Sequence, residues 1–256
     1  MDPNNLVTYK AAVWDVMQLI FENFNDHQLH CVIYFDSHID KILLEKAIDM
    51  SLDAFPIIRS RFVEKSYFKF PYWEDCKFTS EDMINMIETE NIKKTIEKLI
   101  VFKTKETCGP QIMFNIIRNR EYDSLCIVMN HMISDGVGFK QYLYMLSSMY
   151  SHLKSDPNYI SDIKMGSRSA NQVFKKFSIL DKTKILSASS KLSKYDSGAI
   201  FPLEGDNDNP FIVIRKVLPE RFMLIKSFAK ENSATLNDVF LATYIRSLQK
   251  ISCCLV

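Results

Sequence analysis

The sequence predicts a mixed α/β (α+β) fold in which a mixed β-sheet is flanked by helices. Segments with the pattern of strands alternate along the chain with segments of helical period, as in folds that layer helices on a sheet. Residues 124–129 form a continuous apolar run, which is typical of a strand covered on both faces. The composition is that of a globular protein, with 47% hydrophobic and 25% charged residues among 256.

The N-terminal part of the chain alternates between predicted helices and predicted strands. Apolar residues at helical spacing predict the helices, and β-branched or aromatic runs bounded by polar turn residues predict the strands. The helices are predicted at residues 9–23, 39–55 and 81–100, and the strands at residues 28–35, 57–63 and 67–73. Pro56 is expected to end the second of these helices.

The central part predicts two strands, at residues 111–118 and 124–129, separated by a polar turn. Residues 137–153 then return to a helical period. The intervening loop, which begins at Asn130, therefore joins a buried strand to a helix.

The last hundred or so residues change in character. Polar residues and prolines accumulate over residues 156–210, which predicts a linker or crossover with short helices. This divides the chain into an N-terminal lobe at 1–155, that linker, and the beginning of a second lobe at 211–256. Within the second lobe we expect a strand at 211–218 and helices at 219–230 and 235–249, the last with Thr235 as its N-cap.

Charge and cysteine content exclude several classes of function. The 32 basic and 31 acidic residues leave a net charge of +1, which argues against a nucleic-acid binder. The six cysteines show no metal-binding spacing, so we expect reduced thiols and no bound metal. No apolar run is long enough for a membrane span, and the N-terminus has no secretion signal. The sequence thus predicts a cytoplasmic protein.

The loop after the buried strand contains the pattern H-x-x-x-D-G, formed by His131, Asp135 and Gly136. A histidine at the end of a central strand lies at the edge of the sheet where α/β folds bind ligands. Imidazole can accept and return a proton near neutral pH. Asp135 is better suited to holding the loop than to meeting a substrate, and Gly136 would allow a positive φ and a close approach of substrate. The alternative for His131 is a loop histidine that bonds only to the backbone.

Three segments together resemble one known superfamily. Residues 129–138 (MNHMISDGVG) look like the H-H-x-x-x-D-G motif of the condensation domains of nonribosomal peptide synthetases, the alcohol acetyltransferases and the chloramphenicol acetyltransferase-like enzymes. Residues 55–62 (FPIIRSRF) resemble the L-R-T-x-F segment of these proteins, and residues 233–242 (SATLNDVFLA) are similar to the T-x-N-D-V-x-L-A helix that opens their second lobe. The three segments occur in the expected order.

The resemblance implies a chloramphenicol acetyltransferase-like lobe and an acyltransferase. The acyl group would come from a coenzyme A or carrier-protein thioester, with no bound cofactor, and would pass to a hydroxyl or amine. His131 would be the general base, and Asp135 would form a structural ion pair with Arg59 or, alternatively, Arg61. A surface salt bridge is the other interpretation of Asp135.

The sequence departs from the superfamily pattern at two places. Asn130 replaces the first histidine of the motif, and the chain stops soon after the helix that begins the second lobe, so we expect a C-terminally truncated form. This leaves a second hypothesis open, that of a catalytically inactive remnant or a binding module of the same fold. The expected partners are a small-molecule acyl donor and acceptor, with a carrier protein and a homodimer as further possibilities.

Overall fold

The structure is a computed structural model that describes residues 7–21, 26–64, 70–164, 166, 168, 175, 177–178, 180–181, 184 and 210–254. The chain divides into two compact units, residues 1–176 and residues 177–256. Most of the crossover expected at 156–210 lies outside the described residues. In the described part of the chain, no helix is long and apolar enough to cross a membrane.

The first unit is built, within the described residues, around a four-stranded sheet in the order β2-β7-β6-β5. Its strands are β2 (Gln28–Tyr34), β5 (Ile84–Glu88), β6 (Ile112–Arg118) and β7 (Asp123–Asn130). β7 is antiparallel to β2 and β6, whereas β5 runs parallel to β6. The predicted mixed sheet is therefore confirmed.

Two long helices cover one face of this sheet. They are α2 (Lys41–Ala54) and α5 (Gly136–Ser155), which pack against each other. Their apolar side chains meet those of the sheet in one core that includes Ile48, Phe114 and Ile127, all fully buried. Every residue of β7 is buried, as the continuous apolar run predicts. His131 thus follows a strand whose position is fixed on all sides.

A smaller sheet supports the start of the chain. Among the described residues it has the order β1-β4-β3, with β1 (Thr8–Lys10), β3 (Ser60–Val63) and β4 (Tyr72–Asp75), all antiparallel. Helix α1 (Val13–Phe21) follows β1, and a short 3₁₀ helix (Pro56–Arg59) leads into β3. The helix expected over residues 9–23 therefore begins only after a short strand.

The prediction of one helix over residues 81–100 is wrong, because the middle of this segment is a strand. The segment contains α3 (Ser80–Met83), strand β5 and α4 (Ile92–Leu99). Pairing with β6, in the register Ile84 to Phe114, makes the middle of the segment a strand. Its apolar residues suit either period, and the tertiary pairing decides between the two.

The second unit contains α6 (Pro219–Glu231) and α7 (Leu236–Cys254). The N-cap expected at Thr235 is confirmed, since its Oγ1 accepts a hydrogen bond from the amide of Asp238. The strand expected at 211–218 is wrong, because these residues form no ladder within the described chain. Both helices carry exposed apolar side chains, among them Leu224 on α6 and Tyr244 on α7.

Candidate functional site

His131 continues the line of β7 by one residue and is held there through its backbone. Its amide donates to the carbonyl of His27, 2.8 Å away, which extends the pairing of β2 and β7. Its carbonyl accepts from Nε1 of Trp14 at 3.4 Å, and the indole and imidazole rings lie 5.8 Å apart between centroids. The position of the imidazole is therefore set by the sheet and by α1.

The two ring nitrogens of His131 differ in their surroundings. Nδ1 is buried and has no hydrogen-bond partner among the described residues. An imidazole accepts a proton at Nε2 only in the tautomer that carries its hydrogen on Nδ1. The described side chains therefore do not select either tautomer of the His131 ring.

Asn130, which replaces the first histidine of the motif, shapes the turn after β7. Its buried side chain accepts a hydrogen bond from the amide of Met132 through Oδ1, at 2.9 Å. Its carbonyl accepts from the amide of Ile133 at 3.3 Å. Asparagine favours such turns because its side chain bonds to the backbone two residues on. The departure from the motif therefore has a structural role in this loop.

Asp135 holds the other end of the loop as the N-cap of α5. Its Oδ1 accepts from the amide of Gly138 at 2.7 Å, and the residue is exposed. A carboxylate at this position satisfies an amide that the helix leaves unpaired, and it suits the positive end of the helix dipole. The prediction that Asp135 holds the loop fits this contact, but its partner is an amide and not an arginine.

The two candidate arginines pair with other carboxylates in the part of the chain that is described. Arg59 lies 3.1 Å from Asp75 and 3.4 Å from Asp53, and Arg61 lies 2.7 Å from Glu74. The register of β3 and β4 explains this, because it sets Arg61 directly opposite Glu74 and brings Arg59 beside Asp75. The structure thus corrects the expected ion pair with Asp135.

The pairing of Arg59 affects the ionisation of a buried acid. Burial raises the pKa of Asp75, but hydrogen bonds from Lys77 and the charge and hydrogen bond of Arg59 outweigh burial. Together they hold the pKa below its ordinary value of 3.8. Arg59 therefore stabilises the small sheet and not the histidine loop.

Of the two glycines at the start of α5, Gly138 has the more crowded surroundings. No described glycine has a positive φ, and a Cβ on Gly136 would meet open space. A Cβ on Gly138 would collide with Oγ of Ser134 and come within 3.2 Å of the capping oxygen of Asp135. Gly136 does not use the positive φ that a glycine would allow, because it is the first residue of α5 and has the backbone of that helix.

A buried ion pair that the motif did not indicate also holds the loop. Asp15 of α1 is fully buried and accepts from both terminal nitrogens of Arg168, at 2.8 and 3.0 Å. Arg168 also donates to the carbonyls of Met132 and Ile133, at 3.1 and 3.3 Å. One guanidinium therefore joins α1 to the residues that follow His131.

The same carboxylate has two further donors, Nε1 of Trp73 at 2.8 Å and the amide of Ala12 at 2.9 Å. These fully satisfy Asp15, as a buried charge requires. The sequence contains one signal of this arrangement, since Asp15 interrupts an otherwise apolar stretch of α1. A charged residue in such a stretch indicates a buried partner, but the sequence does not identify it.

A cleft of about 790 Å³ lies beside the loop. Its walls come from the start of α1, the 3₁₀ helix, the loop and α5, and include Ala12, Trp14, Ile57, Ile58, Tyr142 and Met145. Tyr142 closes one side, with its hydroxyl 2.9 Å from Oγ of Ser51. His131 is not a lining residue, but Trp14 lines the cleft and contacts the imidazole.

No protein-family model and no curated protein matches the chain. Solved structures do match. The first condensation domain of the calcium-dependent antibiotic synthetase, in complex with a substrate analogue, superposes with a TM-score of 0.70 at 12% identity, over 94% of this chain and 61% of that one. The chain has a condensation-domain fold.

Two further structures agree with this fold. The condensation domain from the Monacolin K polyketide synthase gives a TM-score of 0.62 at 13% identity, over 97% of this chain and 61% of that one. The epimerization domain from the third module of tyrocidine synthetase B gives 0.56 at 15% identity, over 78% and 48%. The chain therefore spans about half to three fifths of the length of these domains. The resemblance that the motifs indicate is confirmed at the level of the fold.

Proposed function

We propose that the chain is part of a condensation-like acyltransferase, in which an acyl group passes from a thioester to a hydroxyl or amine. The observation that supports this is the position of His131, which is fixed at the end of the central strand of a condensation-domain fold. Both its amide and its carbonyl are hydrogen-bonded, and its ring lies against Trp14. A general base needs such a fixed position, because proton transfer depends on distance and alignment.

In this reaction Nε2 of His131 takes the proton of the acceptor as its oxygen or nitrogen attacks the thioester carbonyl. A C–O or C–N bond forms, the tetrahedral intermediate collapses and the C–S bond breaks. The imidazolium then returns the proton to the departing sulfur. The step needs no covalent enzyme intermediate and no bound cofactor. The thioester of coenzyme A or of a carrier protein is the proposed co-substrate.

The proposal is tested by turnover with defined thioesters. The purified chain is incubated with a panel of acyl-CoAs and acyl-pantetheines and with simple alcohols and amines, and the ester or amide product is measured by mass spectrometry. We expect product with the unmodified chain, loss of product with His131→Ala, and retention with His38→Ala. His38 is a matched control because it is exposed and bonds only to the carbonyl of Asn119 among the described residues.

A second candidate is a binding module of the same fold without catalysis. It is favoured by the absence of His131 from the residues that line the cleft and by the unpartnered Nδ1 of the ring, among the residues described. This candidate predicts that no thioester is consumed while the chain remains folded. Product formation that depends on His131 would exclude it.

A further inference from the structure

The cleft beside the histidine loop combines apolar walls with two charged side chains among its described lining residues, of which the cation is already paired. Its volume is in the range of pockets that enclose small organic molecules. Ile57 and Ile58 are each only 3% exposed, so the wall they form belongs to the rigid core. Trp14 and Met145 add apolar surface from α1 and α5.

The described lining residues include two charged side chains, Asp135 and Arg168. Arg168 is neutralised by the buried carboxylate of Asp15 and gives its remaining contacts to loop carbonyls. Asp135 is exposed, and its Oδ1 caps α5. An anionic ligand would therefore lose its hydration without gaining an unpaired cation, and Asp135 would repel it.

A cationic ligand gains little in this cleft. The carboxylate of Asp135 is solvent-exposed, where attraction between charges is weak and screened by salt. Asp15 is fully buried and already accepts from three residues. Among the described lining residues, the hydroxyls of Ser134 and Tyr142 already make hydrogen bonds, to the carbonyl of Asp135 and to Oγ of Ser51. Gln141 is exposed and offers a ligand both a donor and an acceptor.

We propose that this cleft binds an uncharged alkyl or aryl group with one neutral polar end. The identification of that alkyl or aryl group as the apolar part of an acyl-transfer substrate rests on the proposed function. The shared wall at Trp14 connects the cleft to the ring of His131, so a bound chain lies next to the histidine loop.

Trp14 also provides the signal for a test. The chain has two tryptophans, and Trp73 is fully buried, so a ligand in the cleft contacts the indole of Trp14 alone. The fluorescence of the purified chain is titrated with 1-octanol, octanoate and octylammonium, which share a chain length and differ in charge. We expect a saturable change with octanol, at least about tenfold tighter than with either ion, and no change in Trp14→Phe.

A substitution that fills the cleft shows where octanol binds. We expect Ala12→Phe to weaken octanol binding at least about tenfold, and Val137→Phe, an exposed residue of α5 outside the lining, to leave it unchanged. If Ala12→Phe does not fold, nuclear Overhauser effects between octanol and the Trp14 indole in the unmodified chain replace it. Octanoate or octylammonium binding as tightly as octanol, or no saturable change with octanol, would overturn the inference.

Binding and turnover are separate readouts on the same chain. Octanol binding without consumption of any thioester would leave this inference in place and remove the proposed function. Acyl transfer without octanol binding would support the proposed function and overturn this inference.

Discussion

Replacing Arg168 by methionine would remove the guanidinium that pairs with the buried carboxylate of Asp15. The remaining donors to that carboxylate are Nε1 of Trp73 and the amide of Ala12. Breaking a buried ion pair by removing one partner costs about 3–5 kcal/mol, because the other charge stays in a site of low polarity. The side chain of Arg168 is 23% exposed. Because the guanidinium is partly hydrated in the folded chain, the lower end of that range applies.

We therefore expect Arg168→Met to lower the free energy of unfolding by about 3 kcal/mol. In a unit of this size that corresponds to a fall in Tm of roughly 10 °C, measured by circular dichroism. The double variant with Asp15→Asn should be destabilised by about 2 kcal/mol less than the sum of the two single variants, because it removes both charges.

Arg61→Met is the matched control. Arg61 also pairs with a carboxylate, that of Glu74 at 2.7 Å, but its side chain is 47% exposed. Exposed pairs contribute little, so the control should stay within about 1 kcal/mol of the unmodified chain. A Tm for Arg168→Met as high as that of the control, or strict additivity with Asp15→Asn, would refute the view that this pair holds the loop.

Four further predictions follow from single features of the structure. Gly138→Ala should have a lower urea midpoint than Gly136→Ala, because its Cβ meets Ser134 and the capping oxygen of Asp135 whereas that of Gly136→Ala meets open space. The pKa of Asp75 is lowered in the folded chain, so its contribution to stability is present above its unfolded pKa and is lost as pH falls through the folded pKa. Asp75→Asn should therefore flatten the fall in Tm below about pH 4. Burial, with a smaller effect of a neighbouring thiol, raises the pKa of Cys126 to about 11, so iodoacetamide should modify the exposed Cys108 before Cys126, as read by peptide mass spectrometry. The exposed apolar faces of α6 and α7 predict self-association, and a sedimentation coefficient that does not change with concentration would contradict it.

The sequence by itself determined the elements around the histidine loop. The strand at 28–35, the helix at 39–55, the strands at 111–118 and 124–129 and the helix at 137–153 are all confirmed with small shifts at their ends. Each has a local pattern that repeats along its own length, and such patterns depend on neighbouring residues only. The resemblance of three segments, at residues 55–62, 129–138 and 233–242, to condensation domains and their relatives also indicated the fold.

Tertiary structure alone decided which groups meet. The strand at Ile84–Glu88 forms because β6 lies beside it, and the partners of Arg59 and Arg61 follow from the register of β3 and β4. Asp15 and Arg168 are 153 positions apart, and no local pattern relates them. Ion pairs and strand pairs depend on distances between residues that are far apart in the sequence. Local sequence patterns do not specify those distances. The physical reason is that charge pairing needs proximity and burial, which only packing supplies.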